Sequence, residues 1–477
     1  MTISSGGVEA SSLSISNAEP ASGWITFTGG KITLTGDLTV SNAHVDLEGI
    51  GSGSVLNGRV TLTGDSELKV GSSSRPRLGN ISMTGADTKL LFAGGSQDEK
   101  LTYRFDGSGD NADRLSSEYV NMEFGAYAGA DFSNFTSETE GGAISSANSV
   151  TLKSGQGLRF TGNSAGRGGA IDAGDLVSIS SANGAILFDN NKSLNGYGGA
   201  IYADGDVILE GSLGVSFIGN NSFGNYGGAI DASNGSVNIS SANGAILFEN
   251  NKSVGYDGYG GAIDAGDAVI LEGSRGVSFI GNSAGRGGAI DAGDLVSISS
   301  ANGAILFDGN SSGSDGGSIS TYGDLYIKGG AASSFTNNST SSFGGAIYFQ
   351  PFSPQRSITL DATQADITFQ GNIHRSGTSP TANAIYVDDS YKAATLNLIA
   401  GKGKAIYFYD PIVMQNEQQN ASSLHFNQGK DCQGEIIFSG RDYADSDNAA
   451  NYTSTLTGDA FQYNGTVRLD QRAALEL

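Results

Sequence analysis

Two tetrapeptides alternate through the middle of this chain at a nearly fixed spacing. Gly-Gly-Ala-Ile occurs as Gly141-Gly142-Ala143-Ile144 and Gly168-Gly169-Ala170-Ile171. It returns from the pairs Gly198-Gly199, Gly227-Gly228, Gly260-Gly261, Gly287-Gly288 and Gly344-Gly345, with Ser for Ala from Gly316. Phe-x-x-Asn runs between Phe160 and Asn163, Phe188 and Asn191, Phe217 and Asn220, Phe248 and Asn251, Phe279 and Asn282, Phe307 and Asn310, Phe335 and Asn338, and Phe369 and Asn372. Each motif recurs every 27–34 residues. A period this short means one small structural unit per repeat, with a core completed only by the neighbouring units. Some copies are identical: Gly162 through Asp189 returns letter for letter as Gly281 through Asp308. Identical copies argue against a unique catalytic site among them, because such a site needs asymmetry.

Within one repeat, three short runs have strand character: Ala170–Ala173, Leu176–Ser180 and Ala185–Phe188. The middle run alternates apolar and small polar residues. Turn residues separate the runs at Gly174-Asp175, Asn183-Gly184 and Asn190-Asn191. No helical segment of the length a βαβ unit needs is visible. Three strands and three turns in about 28 residues predict one coil of a right-handed parallel β-helix, an all-β solenoid. With coils stacked about 4.8 Å apart, each Phe is expected to point inward and stack on its neighbours. Each Asn is expected in the turn, in a left-handed conformation and bonding to the coils above and below. The glycine pairs are expected to make a tight corner with positive φ, with the Ile turned inward. The motif repeats predict about eight coils over 141–372.

Outside that region the coils are expected to continue. Residues 1–105 are expected to form coils without the motifs, after an irregular start at Met1 to Trp24, with period-two runs such as Lys31–Val40 and Arg59–Val70. Residues 106–140 are less regular and are expected to be an insertion or loop. From 373 the motif decays to Asn383-Ala384-Ile385 and Lys404-Ala405-Ile406, and the polar run Gln415 to Ser423 reads as a loop. With 73 Gly and 6 Pro in 477 residues, the chain is too glycine-rich for a helical protein and too proline-poor for a disordered one. A net charge of −23 repels nucleic acid and anionic lipid. The single cysteine, Cys432, leaves no intramolecular disulfide and is expected to be half-buried. Met1 to Ala10 carry no basic-then-apolar pattern, and no run of 18 apolar residues occurs. No signal peptide or transmembrane helix is therefore expected within these residues.

Interleaved Gly-Gly-Ala-Ile and Phe-x-x-Asn, repeated this often, resemble the chlamydial polymorphic membrane proteins. Gly403–Ile412 and Gly434–Gly440 resemble the start of that family's middle domain, so the resemblance covers about 125–477, with 373–477 as a partial middle domain. It implies an autotransporter: a secretion signal, a β-helical passenger that acts as an adhesin, and a C-terminal membrane barrel. It implies a secreted, surface-exposed protein of a Gram-negative-type outer membrane, with a host-cell surface protein as receptor. Membrane attachment would come only through the barrel, which these residues lack. Passengers of this kind also suit homo-oligomers. An open coil edge near Ala473–Leu477 is expected to promote association.

Residues that could carry other chemistry are few. Asp follows the inward Ile at Asp172, Asp231, Asp264 and Asp291, and stands in Gly-Asp turns at Asp175, Asp206, Asp267, Asp294 and Asp324. Stacked carboxylates suit weak Ca²⁺ binding, or the acid/base pair of a polysaccharide lyase or hydrolase. The plainer expectation is a solvated outer edge with no cofactor, metal site or catalytic residue. His44, His374 and His425 lie too far apart in sequence for a triad or a zinc site. Trp24 is expected in the core or as an end cap. Sequence therefore predicts a non-enzymatic adhesin, with a β-helical enzyme and a purely structural or antigenic coat element as alternatives. Adhesion is expected in the loops between each Asn and the next Gly-Gly: Lys192–Tyr197, Ser222–Tyr226 and Lys252–Tyr259. They carry Tyr and Asn, which suit contact surfaces.

Overall fold

The computed structural model describes residues 2–4, 8–19, 23–50, 54–71, 76–108, 113–255, 257–375, 380–415, 422–429, 432–443, 446–458 and 460–477. The described residues form short strands and three 3-10 turns, with parallel stacked coils making a β-solenoid of about 15 turns. Contacts divide the chain into two units. The first is Met1–Leu194 with Ala200–Leu213, and the second is Asn195–Gly199 with Gly214–Leu477.

One coil of the first unit shows the plan: strands Ile171–Ala173, Val177–Ser181 and Ile186–Asp189, then a two-residue strand Lys192–Ser193. That fourth strand is one more than the alternation predicts, since two residues show no period. Coils pair in parallel and in register, Val150 on Val177 and Phe160 on Phe188 in one unit, Val237 on Val269 and Phe248 on Phe279 in the other. The register sets every inward residue over its counterpart. Phe132, Phe160 and Phe188 stack at 4.7 Å in the first unit. In the second, Phe217, Phe248, Phe279, Phe307, Phe335 and Phe369 stack at 4.6–5.0 Å. These rings are fully buried, so each offers both faces and its edge to the core.

Beside the Phe column runs a column of buried Asn. Asn251 gives its Nδ2 to Asn282 Oδ1 at 3.0 Å and to the Phe217 carbonyl at 2.9 Å. Its backbone N–H also reaches Asn282 Oδ1 at 3.0 Å. The pattern repeats through Asn310, Asn338 and Asn372. The same links join Asn163 to Asn191 in the first unit. The left-handed conformation expected of the Asn belongs instead to the residue before it: Gly162 (φ 65°), Asn190 (φ 53°), Asn250 (φ 55°) and Gly371 (φ 72°). That preceding residue turns the chain, which frees the Asn side chain to point inward. The Asn column ends on a carboxylate. Asp410 accepts from the N–H groups of Gly371 and Asn372 at 3.0 and 2.8 Å, from Asn372 Nδ2 at 2.7 Å, and from the Tyr443 hydroxyl at 3.0 Å.

The two glycines of each pair do different work. The first has positive φ, 55° at Gly260 and 56° at Gly168. The second lies against the next coil: a Cβ on Gly261 would stand 1.9 Å from the Gly288 carbonyl oxygen. The Ile is inward as expected, with Ile171 and Ile263 fully buried.

Residues 106–140 contain Val120–Phe124 and Ala128–Ser133, which pair in parallel register with the coils on both sides, and Leu115–Ser117, which pairs with Ile144–Ser146 of the following coil. What composition reads as an insertion or loop thus holds a further coil, with Phe132 in the Phe column. Its Asn position is taken by Phe135, whose N–H reaches Asn163 Oδ1 at 3.1 Å, so no motif marks it. Residues 416–421 of the polar run fall outside the described residues, and Ser423–Phe426 is a strand.

Candidate binding surface

Between each buried Asn and the next Gly-Gly pair the chain leaves the core and folds back over the coil. The residue before the pair then faces the residue after the inward Ile. The first column reads Glu140 and Arg167 in one unit, and Tyr197, Tyr226, Tyr259, Arg286, Asp315 and Phe343 in the other. The second reads Ser145, Asp172 and Tyr202, then Asp231, Asp264, Asp291, Ser320 and Tyr348.

The expected solvated acidic edge is corrected here. Asp172, Asp231 and Asp291 are buried and Asp264 is partly covered, because the loop closes over them. Their neighbour in sequence, the Gly-Asp set, does behave as an edge at Asp175, Asp206 and Asp267, which are exposed. Asp294 and Asp324 instead hold Arg356, each at 2.9 Å.

Arg167 gives Nε and Nη2 to Asp172 at 2.6 and 3.1 Å and a further bond to Glu140 at 3.2 Å. Its guanidinium lies 4.2 Å over the Tyr202 ring. Burial pushes the Asp172 carboxyl up to about 6, with Arg167 pulling the other way. Arg286 repeats the arrangement with Asp291, at 3.0 and 2.7 Å, and lies over Tyr259 and Tyr322. Burial pushes the Tyr322 phenol up to about 12. Where the facing residue is Tyr rather than Arg, rings stack: Tyr197 on Tyr226 at 5.2 Å, and Tyr226 against Tyr259 at 5.5 Å.

Outside these columns the loops carry exposed apolar side chains. Phe223 is 50 % exposed, Val254 43 % and Tyr197 38 % in the second unit. Leu194 occupies the same loop position in the first unit, at 54 %. The strands Asn221–Ser222 and Lys252–Ser253 pair in register, which sets Phe223 and Val254 on adjacent coils. The sequence points to these loops and to Tyr197, but not to Leu194, Phe223 and Val254. The available signal was their shared place after Asn-x-Ser. A second exposed group, Phe352 and Tyr391, extends the ring contact of Phe352 on Tyr322.

An acid/base pair is harder to find. The open trough beside Ser240, Glu272 and Ser299 has a volume of about 380 Å³, and Glu272 is the one titratable group lining it. A smaller hollow of about 170 Å³ holds Arg77, Arg104, Asp106 and Asp113. There the Ser108 N–H and the Asn134 amide hold the Asp106 carboxyl below its ordinary value, the reverse of what a general acid needs. Among the described residues no group of three or more His, Cys, Asp or Glu is disposed to hold a metal ion. His44 lies 3.8 Å from Asp65, and His425 Nδ1 meets Asn397 at 3.0 Å.

The family model for the Chlamydia polymorphic membrane protein repeat matches residues 185–204, 238–266 and 332–350, each spanning a Phe-x-x-Asn or Gly-Gly segment. The chain carries the repeat of the polymorphic membrane protein family and is similar to several of its members. It is 28 % identical to the probable outer membrane protein pmp7 of Chlamydia pneumoniae over 341 residues, covering 69 % of this chain and 33 % of that relative. To pmp8 of the same organism it is 37 % identical over 191 residues, 37 % of this chain and 20 % of pmp8. To pmp12 it is 30 % identical over 234 residues, 46 % of this chain and 44 % of pmp12. The chain thus spans less than half the length of each of these polymorphic membrane proteins. No solved structure matches it.

Proposed function

We propose that these coils are the surface-displayed, autotransporter-type passenger of a polymorphic membrane protein, and that their loop ridge adheres to a protein receptor on the host cell. The cell surface or outer membrane is the location that the relatives' names support. The observation that carries the adhesive reading is the ridge itself. Phe223, Val254 and Tyr197 stand exposed on a scaffold whose coils are locked in register. Contiguous exposed apolar groups on a soluble surface mark interaction sites. A coat element without a receptor has no use for such a ridge.

Purified protein should bind epithelial cells saturably. The triple variant Tyr197→Ser, Phe223→Ser, Val254→Ser should lose about tenfold or more in affinity, which is about 1.4 kcal/mol, with its circular dichroism unchanged. Absence of saturable binding by the parent, or equal binding by the triple variant, overturns this reading.

A further inference from the structure

In the second unit three successive coils place Asp at the same position. Asp231 pairs with Asp264, and Asp264 with Asp291, in parallel register. Coil spacing brings such carboxylates to within about 5 Å of one another. The column continues to Ser320, which is fully buried and whose Oγ has no hydrogen-bond partner. Among the described residues the charged and titratable groups facing Asp264 are few. Its neighbouring strands offer Asp231 and Asp291, and the loops above offer Tyr226, Tyr259 and Arg286. Tyr322 and Asp315 lie beyond, towards Arg286. Arg286 gives its Nε and Nη2 to Asp291. Ser233 gives its hydroxyl to Asp231 at 2.9 Å. Among the described residues no hydrogen bond or ion pair reaches the Asp264 carboxyl.

Among the described residues the guanidinium of Arg286 therefore faces both Asp264 and Asp291 at this partly covered site. Neutral phenols supply no compensating charge, and adjacent carboxylates at this spacing do not all ionise. The first unit provides the contrast: Asp172 has its own Arg167, and its column neighbours are Ser145 and Tyr202.

We propose that the Asp231–Asp264–Asp291 column is a proton-held latch: a proton bound at Asp264 near neutral pH keeps the Tyr226 and Tyr259 loops closed over the coils, and its loss at higher pH loosens them. The proton sits on Asp264 as a neutral carboxylic acid, which removes its repulsion with Asp291 and Asp231. Burial is the largest influence raising the Asp264 carboxyl above its ordinary range, followed by Asp291 and then Asp231, with Arg286 opposing. The native state therefore binds more protons here than the unfolded chain. The latch is complete below the ordinary carboxylate value, weakens as pH rises from there towards the raised native value, and is lost above it. This device is independent of the adhesive reading, because it predicts local opening with no receptor present.

Native-state hydrogen exchange of the full chain, followed by mass spectrometry from about pH 6 to about pH 9, tests it. Protection factors in segments 226–232 and 259–265 should fall by up to about tenfold per pH unit as pH rises towards the titration of the folded column, and level off above it. Those around Asp172 should stay level over the same range. In Asp264→Asn, whose amide has the shape of the neutral acid, the fall should disappear. Flat protection in the parent, or an Asp264→Asn profile that tracks the parent, overturns the proposal. Should that variant fail to fold, the infrared spectrum of the parent decides. A carboxylic acid C=O stretch persisting at about pH 7.5 supports the latch, and its absence refutes it.

Discussion

Asn282 uses every hydrogen-bonding position it has. Its Oδ1 accepts from the N–H and Nδ2 of Asn251, and its Nδ2 gives to the Phe248 carbonyl and to Asn310 Oδ1, all at 3.0 Å. Asn282→Ala strands two donors and a carbonyl inside the solenoid. Unmade buried bonds cost about 1–3 kcal/mol each, so the variant should lose at least as much as a Phe truncation. Phe248→Ala should cost about 3–5 kcal/mol, the range for a large core cavity. Tyr197→Ala should stay within about 1 kcal/mol. Thermal midpoints of the three variants check the ranking, and a Tyr197→Ala shift as large as the other two would contradict it. Asp410, the acceptor that closes the Asn column, adds a pH dependence. Burial raises its carboxyl to about 6 in spite of its four donors. Because this lies above the ordinary value of 3.8, the folded state holds that proton more tightly than the unfolded chain. Stability linked to Asp410 should grow as pH falls from about 6 towards about 4 and be gone above about 7. Comparing thermal midpoints of the parent and Asp410→Asn across that window isolates the contribution.

At the scale of the corner, the two glycine requirements can be told apart. Gly261→Ala drives a methyl into the Gly288 carbonyl and the Ser283 backbone, and neither can yield without parting the coils. Gly309 has the positive φ of a first corner glycine, 65°, but nothing lies within 4 Å of its absent Cβ. Gly309→Ala should therefore cost about 1–2 kcal/mol for the left-handed backbone alone, and Gly261→Ala clearly more. Chemical denaturation of the pair gives the comparison, and equal losses would remove the close-approach argument. Much of this element was legible in the sequence, because its information is periodic. Phe every coil, Asn three residues on and Ile after the glycines give columns as soon as the coils stack. Three things were not periodic and were not legible. The left-handed residue alternates between Gly and Asn, as at Gly162 and Asn190, so no motif records it. The coil at 115–133 keeps its Phe but replaces Asn with Phe135. The burial of Asp172 and Asp291 depends on an Arg five residues earlier folding back, a contact that strand alternation does not encode.

For the molecule as a whole, the unit of change is one period. Deleting Gly281 through Asp308 joins Ile280 to Gly309 and restores Phe279-Ile280-Gly309-Asn310, an intact Phe-x-x-Asn. Stability in such an array is a sum of local terms, so this variant should fold with an unchanged β-type circular dichroism spectrum. Removing only Leu295 through Asp308 takes out half a coil, puts the Phe and Asn columns out of step, and should unfold the stretch around the cut. Limited proteolysis separates the two outcomes. The Asn column also has a direction. Every Nδ2 that links two rungs points towards the higher-numbered coil, and every Oδ1 that receives it faces the lower-numbered one. The two faces of any partly built stack are therefore not equivalent. One presents amide hydrogens waiting for an oxygen, and the other presents oxygens waiting for hydrogens. A coil arriving upside down would bring donor to donor. Growth of the stack is thus a one-way stitch, in which each finished turn is a template that reads the polarity of the next.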